Sequence, residues 1–268
     1  MKSVTFLMER GTPPRLNPIM AEAFELLEAR QLQVSVRFPE HELLHLNDLG
    51  QHPSADLYVL KSDTELALSL ALSFERLGAR VLNRASSSLL AKDKILAAAT
   101  LARAGLPAPR SLAAALPTQL SSHLLEPLIL KPHRGYHGAG VAVVTVPDDL
   151  PGPEAYPEVV FAQAYLAEAR LDLKVFVIGD EVFGVRKAFA GDSFLRAGEP
   201  TRLSPEIEDM ARRCGQAFGL GLYGLDVAED AERGPQIIDV NYFPGYRGVP
   251  DAARKIANHI AGVVDEVA

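Results

Sequence analysis

The sequence of 268 residues lacks several features that would each assign a protein to a class. It has one cysteine, Cys214, and no tryptophan. A single cysteine excludes an internal disulfide framework and a zinc site built from cysteines. No apolar run approaches the roughly 18 residues of a membrane span, and the run near the N-terminus is too short for a signal peptide. These absences favour a soluble, cytoplasmic protein without a membrane partner.

The chain also lacks an excess of basic residues. Its 27 Lys and Arg stand against 34 Asp and Glu, which gives a formal net charge of −7. Because nucleic-acid binders usually present a basic surface, no nucleic-acid partner is expected. The 48% hydrophobic and 23% charged residues are ordinary for a globular protein.

Hydrophobic patterning predicts a mixed α/β protein. In residues 1–84, strand patterns alternate with helical spacings, which indicates a parallel α/β lobe. A single helix is predicted over 86–104 because Gly105 and two prolines follow it. The second half reads as α+β, with a strand–turn–strand over 171–189 and a closing helix over 253–267.

HELLH (41–45) has the H-E-x-x-H spacing of zinc proteases, in which two histidines one helical turn apart bind the metal. Pro39 and a turn-like stretch flank it, so the helix would be too short. The favoured interpretation is a short surface helix with Leu43, Leu44 and Leu46 turned inward.

GLGLYG (219–224) has the spacing of a dinucleotide-binding loop. Such a loop needs a strand before it and a helix after it. Here the predicted helix precedes and the strand follows. Gly219 is therefore expected to end a helix.

One strand pattern contains polar residues where strands rarely have them. In IIDVNYFPGYRG (237–248), Asp239 and Asn241 interrupt an apolar run. Because side chains alternate along a strand, these two share one face, and Ile238 and Val240 can pack in the core from the other. Oxygen ligands about 7 Å apart along a strand suit a hard cation.

A second polar residue, Asp226, lies in the preceding strand pattern YGLDVA. If the two strands pair, Asp226 joins Asp239 and Asn241 around one Mg²⁺ ion, which would offset the repulsion between the carboxylates. The alternative is that both carboxylates face solvent on a half-exposed sheet.

Magnesium usually accompanies phosphates in proteins. Lysine side chains and glycine-rich loops, which can both bind phosphate oxygens, are therefore the next features of interest. Lys131 ends the apolar strand LILK, and a glycine-containing loop (134–140) follows it. Such a loop can approach phosphate oxygens closely. Lys94 is a second candidate, and Lys174 shares a strand face with Asp172. Lys94, and Lys187 in the segment 171–189, could instead be solvated surface residues, and a glycine loop alone is weak evidence, so it is the order of these features that is informative.

That order resembles the ATP-grasp superfamily, in the branch of ribosomal-protein glutamate ligases and LysX-type amino-group-carrier ligases. The resemblance covers about residues 80–250. It rests on five features in order: KDKILAAATLARAGLPAPRS as the lysine helix with G-[IL]-P-x-P, LILKPHRGYHGAGV as the KP strand with its loop, FAQAYL as the adenine hinge, LDLKVFVIGDEVFGVRKAF as the strand after it, and LGLYGLDV with IIDVNYFPGYRG as the metal strands.

The resemblance implies an ATP-grasp fold with a parallel α/β lobe (1–84) before an ATP-grasp domain (85–268). The central lobe (about 112–163) and the C-terminal lobe (about 164–268) are α+β lobes that grip ATP. The implied cofactors are ATP and Mg²⁺, with Mn²⁺ as an alternative.

Site residues carry over position by position from the resemblance. The residues implied to contact the nucleotide are Lys94, Lys131, Gly138, Gln163, Tyr165, Leu166, Glu168, Asp172 and Lys174. The residues implied to hold the metal are Asp226, Asp239 and Asn241. The residues implied to act on phosphates or substrate are Arg186, Lys187 and Arg247.

The implied activity is ATP-dependent formation of an amide or peptide bond through an acyl-phosphate. The expected partners are a small-molecule or peptide carboxylate and an amine, and analogy suggests a homo-oligomer. Two features depart from the ligases. The second metal residue is Asp239 instead of glutamate, and the loop contains His133, Arg134 and His137, whose role is left open.

The metal strand is also similar to that of inositol-polyphosphate kinases, which share the ATP-grasp fold. Phosphorylation of a polyol or inositol phosphate is therefore the alternative activity. A nucleotide-binding module without turnover is a third interpretation.

Overall fold

The computed structural model describes residues 1–9, 17–51, 54–135, 140–167, 169–187 and 197–266. Its helices are α1 (Pro18–Glu28), α2 (Glu65–Arg76), α3 (Ala85–Lys92), α4 (Lys94–Arg103), α5 (Pro205–Phe218) and α6 (Ala252–Asp265). Its strands are β1 (Ser3–Met8), β2 (Gln33–Arg37), β3 (Leu57–Lys61), β4 (Val81–Leu82), β5 (Ser111–Ala114), β6 (Leu128–Pro132), β7 (Ala142–Val144), β8 (Val160–Ala164), β9 (Arg170–Ile178), β10 (Glu181–Arg186), β11 (Glu199–Thr201), β12 (Leu222–Asp230) and β13 (Gly234–Tyr242). No helix in these ranges is long and apolar enough to span a membrane.

The strands form three sheets. The N-terminal sheet is parallel, with the order β2-β1-β3-β4, as the alternation of strands and helices predicts. The central sheet has the order β5-β8-β6-β7, and the C-terminal sheet has the order β11-β10-β9-β12-β13. Every strand pair in both of these sheets is antiparallel, including pairs such as β5–β8 and β9–β12 that are not consecutive in the chain.

The buried side chains form three clusters, and two of them join parts of the chain that are distant in sequence. One unites α2 and β3 with α5 and the inner face of the C-terminal sheet. Another packs α1 against α6, with Met20 and Leu27 on one side and Ile256 and Ile260 on the other. The third contains only residues of the central sheet and its flanking turns. The domain boundaries inferred above stay a prediction.

The predicted single helix over 86–104 is wrong, because the chain breaks at Asp93. This residue has φ −90° and ψ 111°, so it ends α3 and begins α4. Its carboxylate accepts hydrogen bonds from the backbone N–H groups of Ile95 and Leu96 at 3.0 and 3.2 Å. Aspartate is a preferred N-cap residue, so Asp93 starts the new helix α4 within a stretch whose apolar spacing looks like one continuous helix.

The region of HELLH also differs from the prediction. Only a 3₁₀ turn forms at Pro39–His41, and Leu43 and Leu46 are 85% and 70% exposed instead of turned inward. Leu44 alone packs against the core. The end of α5 agrees with the prediction, since Gly219 adopts the left-handed conformation with φ 68°.

Candidate functional site

A row of charged side chains crosses the open face of the C-terminal sheet. Lys174 on β9 lies directly opposite Asp226 on β12, which lies opposite Asp239 on β13. The Lys174 ammonium is 2.5 Å from the Asp226 carboxylate. The predicted pairing of the two carboxylate strands is therefore present.

The other face of the same strands is core. Val175, Leu225 and Val240 form the next row and are all at most 3% exposed. β13 can accept Asp239 and Asn241 because its two faces differ. One face carries the charged and polar side chains, and the other buries apolar side chains in the core.

The predicted packing of Ile238 is wrong because β13 contains a bulge. Asp226 pairs with Asp239, but Val227 pairs with Ile237, so Ile238 is the extra residue. Ile237 is therefore fully buried, and half-buried Ile238 lines the cleft. Bulges re-aim side chains in this way next to functional sites.

The electrostatics of the carboxylate pair fit a divalent cation. Burial raises the pKa of Asp226, and the charge of Asp239 acts in the same direction, while Lys174 opposes both. No cluster of three or more His, Cys, Asp or Glu residues suited to a metal occurs in the described ranges. Two carboxylates and the exposed Asn241 are nonetheless a suitable set, because Mg²⁺ binds one or two carboxylates together with substrate phosphates.

Two lysines reach this row from the opposite wall of the cleft. The Lys94 ammonium lies 3.7 Å from Asp239 and 3.2 Å from the carbonyl oxygen of Gly135. The Lys131 ammonium donates to the Gln163 side chain at 3.0 Å. Burial lowers the pKa of Lys131, and Asp239 and Asp226 oppose that shift. Both lysines therefore share one electrostatic environment with the carboxylates.

The predicted adenine hinge follows β8. The Tyr165 N–H is used in a hydrogen bond to the Pro127 carbonyl oxygen at 2.8 Å. Within the described part of the chain, the Leu166 N–H has no backbone acceptor. The Leu166 N–H and the Tyr165 carbonyl are thus the backbone groups of the hinge that can meet a ligand. Glu168 lies outside the described residues.

A cavity of about 400 Å³ continues the cleft. Its walls are α4, β5, the cleft face of β8 and the bulged part of β13. Lys94, Gln163 and Asp239 stand at its polar side, and most of the remaining lining is alanine, leucine and isoleucine. A mainly apolar space with a few convergent polar groups is typical of a small-molecule site.

The residues predicted to act on phosphates or substrate have different environments. The Arg186 guanidinium donates two hydrogen bonds to the Glu229 carboxylate, at 2.6 and 3.1 Å, and one to the Asp172 carboxylate at 2.9 Å. Burial lowers the pKa of Lys187, and the charges of Lys174 and Arg247 add to this, while Asp226 opposes it. Lys187 therefore lies within the field of the carboxylate row, and Arg247 lies close enough for its charge to act on Lys187.

The glycine-containing loop is described only at its two ends. The His133 carbonyl accepts from the Lys94 N–H at 2.9 Å, and Arg134 pairs with Asp93 at 3.1 Å and with Glu65 at 3.6 Å. Gly138 and His137 lie outside the described residues.

Sequence reasoning missed two residues of this region. Glu229, the partner of Arg186, lies three positions after Asp226, directly after the pattern YGLDVA, but its pairing depends on β10 lying nearby. Asp93, the cap of α4 and partner of Arg134, could have been found from the N-cap preference alone.

The sequence that forms this site also matches a known protein family. The family profile described as RimK-like ATP-grasp domain covers residues 91–264. The chain belongs to the RimK-like ATP-grasp family. The family predicted from the sequence is thereby confirmed.

Named relatives extend this family likeness. A probable alpha-L-glutamate ligase of Citrobacter koseri is 33% identical over 196 residues, which is 66% of this chain and 64% of that protein. One from Photobacterium profundum is 27% identical over 90% of this chain and 82% of its own. A ribosomal protein bS6–L-glutamate ligase of Salmonella newport is 32% identical over 66% of this chain and 64% of its own. The chain thus matches just under two thirds of the length of the first and third.

Solved structures confirm the ATP-grasp fold. A RimK domain protein from Sphaerobacter thermophilus has a TM-score of 0.73 at 21% identity, with 97% and 100% of the two chains covered. The ligase PsnB, complexed with a precursor peptide and AMPPNP, has a TM-score of 0.68 at 23% identity, with 97% of each chain covered. A D-alanine–D-alanine ligase from Bacillus anthracis, complexed with ATP, has a TM-score of 0.73 at 16% identity over both full lengths.

Proposed function

We propose that this protein is an ATP-dependent carboxylate–amine ligase that works through an acyl-phosphate and requires Mg²⁺. The observation that carries the proposal is the row Lys174–Asp226–Asp239 facing Lys94 and Lys131 across one cleft. Family membership and the ligase names of the relatives support the same activity.

The nucleotide would lie between the central and C-terminal sheets. Lys94 and Lys131 would contact its phosphates, and Gln163 with the Tyr165 and Leu166 backbone would hold adenine. Asp172 or Glu168 would bind the ribose, and Lys174 and Gly138 complete the predicted nucleotide contacts. Asp226, Asp239 and Asn241 would hold Mg²⁺, or Mn²⁺ in its place. The bound ion would supply charge neutralisation at the phosphates.

In the proposed reaction, an oxygen of a substrate carboxylate attacks the γ-phosphorus of ATP, and the bond to the bridging oxygen of ADP breaks. The amine of a second substrate then attacks the acyl carbon, forming the amide, releasing inorganic phosphate and losing one proton. Lysines that neutralise the transferring group supply positioning and electrostatic stabilisation. Lys187 or Arg186 and Arg247 would act on the phosphates or substrate.

No protein nucleophile is required for either step. Cys214 is fully buried, and burial raises the pKa of its thiol to about 12. A protonated, inaccessible thiol does not attack an electrophile.

The names of the relatives suggest the class of substrate. Those names contain L-glutamate and ribosomal protein bS6, and PsnB was solved with a precursor peptide. We propose a peptide or small-molecule carboxylate and an amino-acid-like amine for this chain. A homo-oligomer and a cytoplasmic location complete the proposal.

Hydroxylamine trapping tests the reaction. The protein is incubated with MgATP and pooled carboxylic acids, and hydroxylamine is added to capture the acyl-phosphate. ADP release with hydroxamate formation is the expected result. Transfer of labelled phosphate to a stable polyol product would instead establish the kinase alternative, and nucleotide binding without either product would establish a module without turnover.

The carboxylate pair is tested by Asp239→Ala, which we expect to abolish turnover. The matched control is Asp148→Ala, since Asp148 is exposed, lies in the 3₁₀ turn Pro147–Asp149 and does not line the cavity of the cleft. Wild-type activity in Asp239→Ala would refute the metal assignment, provided that its melting temperature equals that of the control.

A further inference from the structure

The N-terminal sheet has a topological switch point, which lies outside the residues that line the cavity described above. Its strand order, β2-β1-β3-β4, reverses direction between β1 and β3. In open parallel sheets, ligands bind outside the carboxyl ends of the strands at this kind of switch point. Here those ends are Met8 and Lys61, which are direct neighbours in the register.

Lys61 has an unusual environment for a lysine at the end of a buried strand. Its ammonium lies 5.3 Å from the centre of the Phe243 ring. Within the described part of the chain, no carboxylate lies within ion-pair distance of it and no acceptor receives its hydrogen bonds. A half-buried ammonium with only an aromatic face for a partner has hydrogen-bonding capacity left for a ligand.

The charges that act on Lys61 are not those of the nucleotide site. Burial lowers its pKa, and the carboxylates of Asp63 and Glu9 oppose the shift. The carboxylate row instead influences Lys131 and Lys187. Lys61 therefore belongs to a second, separate group of charges at the carboxyl end of β3.

The turn after the metal strand fixes Phe243 beneath this ammonium. Phe243 has a φ of 38° and is 2% exposed, which is a costly conformation for a non-glycine residue. The Tyr242 hydroxyl donates to the Ser62 carbonyl at 2.7 Å, and the Asn17 side chain donates to the Gly245 carbonyl at 3.2 Å. These contacts join the end of the metal strand to the switch point of the N-terminal sheet.

We infer that Lys61, supported by Phe243, is the anchor for a carboxylate group of the substrate that does not itself receive the phosphoryl group. This inference rests on the proposed ligase function and names its substrate class, which is a substrate with a second carboxylate. The second carboxylate would pair with the Lys61 ammonium at the switch point, beside the ring of Phe243, which is the first residue after β13, while the first carboxylate faces the nucleotide.

The test measures binding without turnover. The protein is saturated with the magnesium complex of the imido analogue of ATP, and its melting temperature is followed against glutarate, L-glutamate and, as a monocarboxylate, butyrate. Ligands that bind only the native state raise the melting temperature in proportion to their affinity. Variants are Lys61→Met, Lys61→Arg and the control Lys255→Met. Lys255 also lies over an aromatic ring, Phe183 at 5.0 Å, but is paired with Glu181.

We expect the dicarboxylates, but not butyrate, to stabilise the wild type and Lys255→Met. Lys61→Met should weaken dicarboxylate binding by about ten- to a hundredfold, as for loss of a charged hydrogen bond, and leave binding of the ATP analogue unchanged. Lys61→Arg should retain most of the affinity. Equal dicarboxylate affinity in wild type and Lys61→Met would overturn the inference, as would a wild type that no dicarboxylate stabilises.

The outcome is separable from that of the hydroxamate assay. If the protein is an active ligase but binds dicarboxylates equally well in wild type and Lys61→Met, the role of Lys61 as anchor is refuted and the ligase function is not. A protein that binds glutarate through Lys61 but forms no hydroxamate refutes the ligase and leaves the anchor standing.

Discussion

At the scale of single residues, the cleft keeps charges half-buried by setting opposite charges beside them. Lys174 neutralises Asp226 at 2.5 Å, and Arg186 is held by Glu229 and Asp172. Removing one partner of such a pair is more damaging than removing both, because it leaves an uncompensated charge. Arg186, Asp172 and Glu229 therefore form one unit beside the carboxylate row.

His259 provides a prediction at this scale. Its Nε2 atom is buried without a hydrogen-bond partner in the described structure, and burial lowers its pKa while Glu266 and Asp180 oppose the shift. The unfolded chain, with a pKa near 6.5, then takes up a proton that the folded protein does not. Stability should be complete above about pH 6.5 and decrease as the pH falls towards the lower folded pKa.

Urea unfolding at several pH values between neutral and mildly acidic conditions measures this effect. His259→Gln should remove part of the acid-induced loss of stability. The exposed His123, changed to Gln, is the control and should leave the profile of the wild type intact. An identical pH profile in His259→Gln and wild type would contradict the prediction.

At the scale of elements, the break between α3 and α4 places Lys94 at the first position of a helix. Asp93 caps that helix through two backbone N–H groups and also accepts from the Arg134 side chain at 3.1 Å. One side chain thus fixes the helix start, the adjacent lysine and the base of the glycine-containing loop.

Asp93→Ala should therefore destabilise the protein by about 1–2 kcal/mol, because both the cap and the ion pair are lost. Asp93→Asn should recover most of that loss, since asparagine is an equally good cap but carries no charge. Denaturant unfolding measures both variants. If Asn and Ala were equally destabilising, the cap would not be the cause.

Two helical glycines offer a matched pair. A Cβ at Gly262 in α6 would meet no atom within 4 Å, whereas one at Gly215 in α5 would lie 2.3 Å from the Tyr223 hydroxyl. Gly262→Ala should stabilise the protein by about 0.5–1 kcal/mol through helix propensity. Gly215→Ala should destabilise it, because Tyr223 is buried and hydrogen-bonded to the Ala211 carbonyl. Melting temperatures that shift in the same direction for both would refute this difference.

At the scale of the whole molecule, the N-terminal and C-terminal lobes share cores, and the central sheet has its own. α1 packs on α6 in one shared cluster, and the central cluster includes Leu128 and Leu130 but no residue of the other two sheets. Such a division favours cooperative opening of the two outer lobes and separate opening of the central one.

Hydrogen exchange tests this division. Ile260→Ala, in the shared core, should cost about 2–5 kcal/mol and lower the protection of amides in both β1 and β12. Leu128→Ala, in the central core, should lower protection in β6 and β8 and leave β1 unchanged. Loss of protection throughout the chain in Leu128→Ala would contradict the separation.

Much of the fold could be predicted because its signals are local. Alternating strands and helices gave the parallel sheet, and Asp239 and Asn241 marked the open face of β13. The short strand β5 and the helix break at Asp93 were not predicted. β5 has only four residues, and the N-cap of α4 lies inside a longer helical pattern. The bulge at Ile238 could not be read either, because it depends on the register with β12.

The sequence by itself determined the order of the motifs, the alternation that separates core from cleft, and the residue types able to meet ATP and a metal. Only the tertiary structure decided which side chains contact each charged group. It paired Lys174 with Asp226 and Arg186 with Glu229, and it placed the Lys61 ammonium over the ring of Phe243. Lysine ends an apolar strand in both LYVLK and LILK, yet only Lys131 faces the carboxylate row. The physical reason is that these contacts join segments that are distant in sequence. The first two depend on the strand order and register of the C-terminal sheet, and the third depends on how the N-terminal and C-terminal lobes pack.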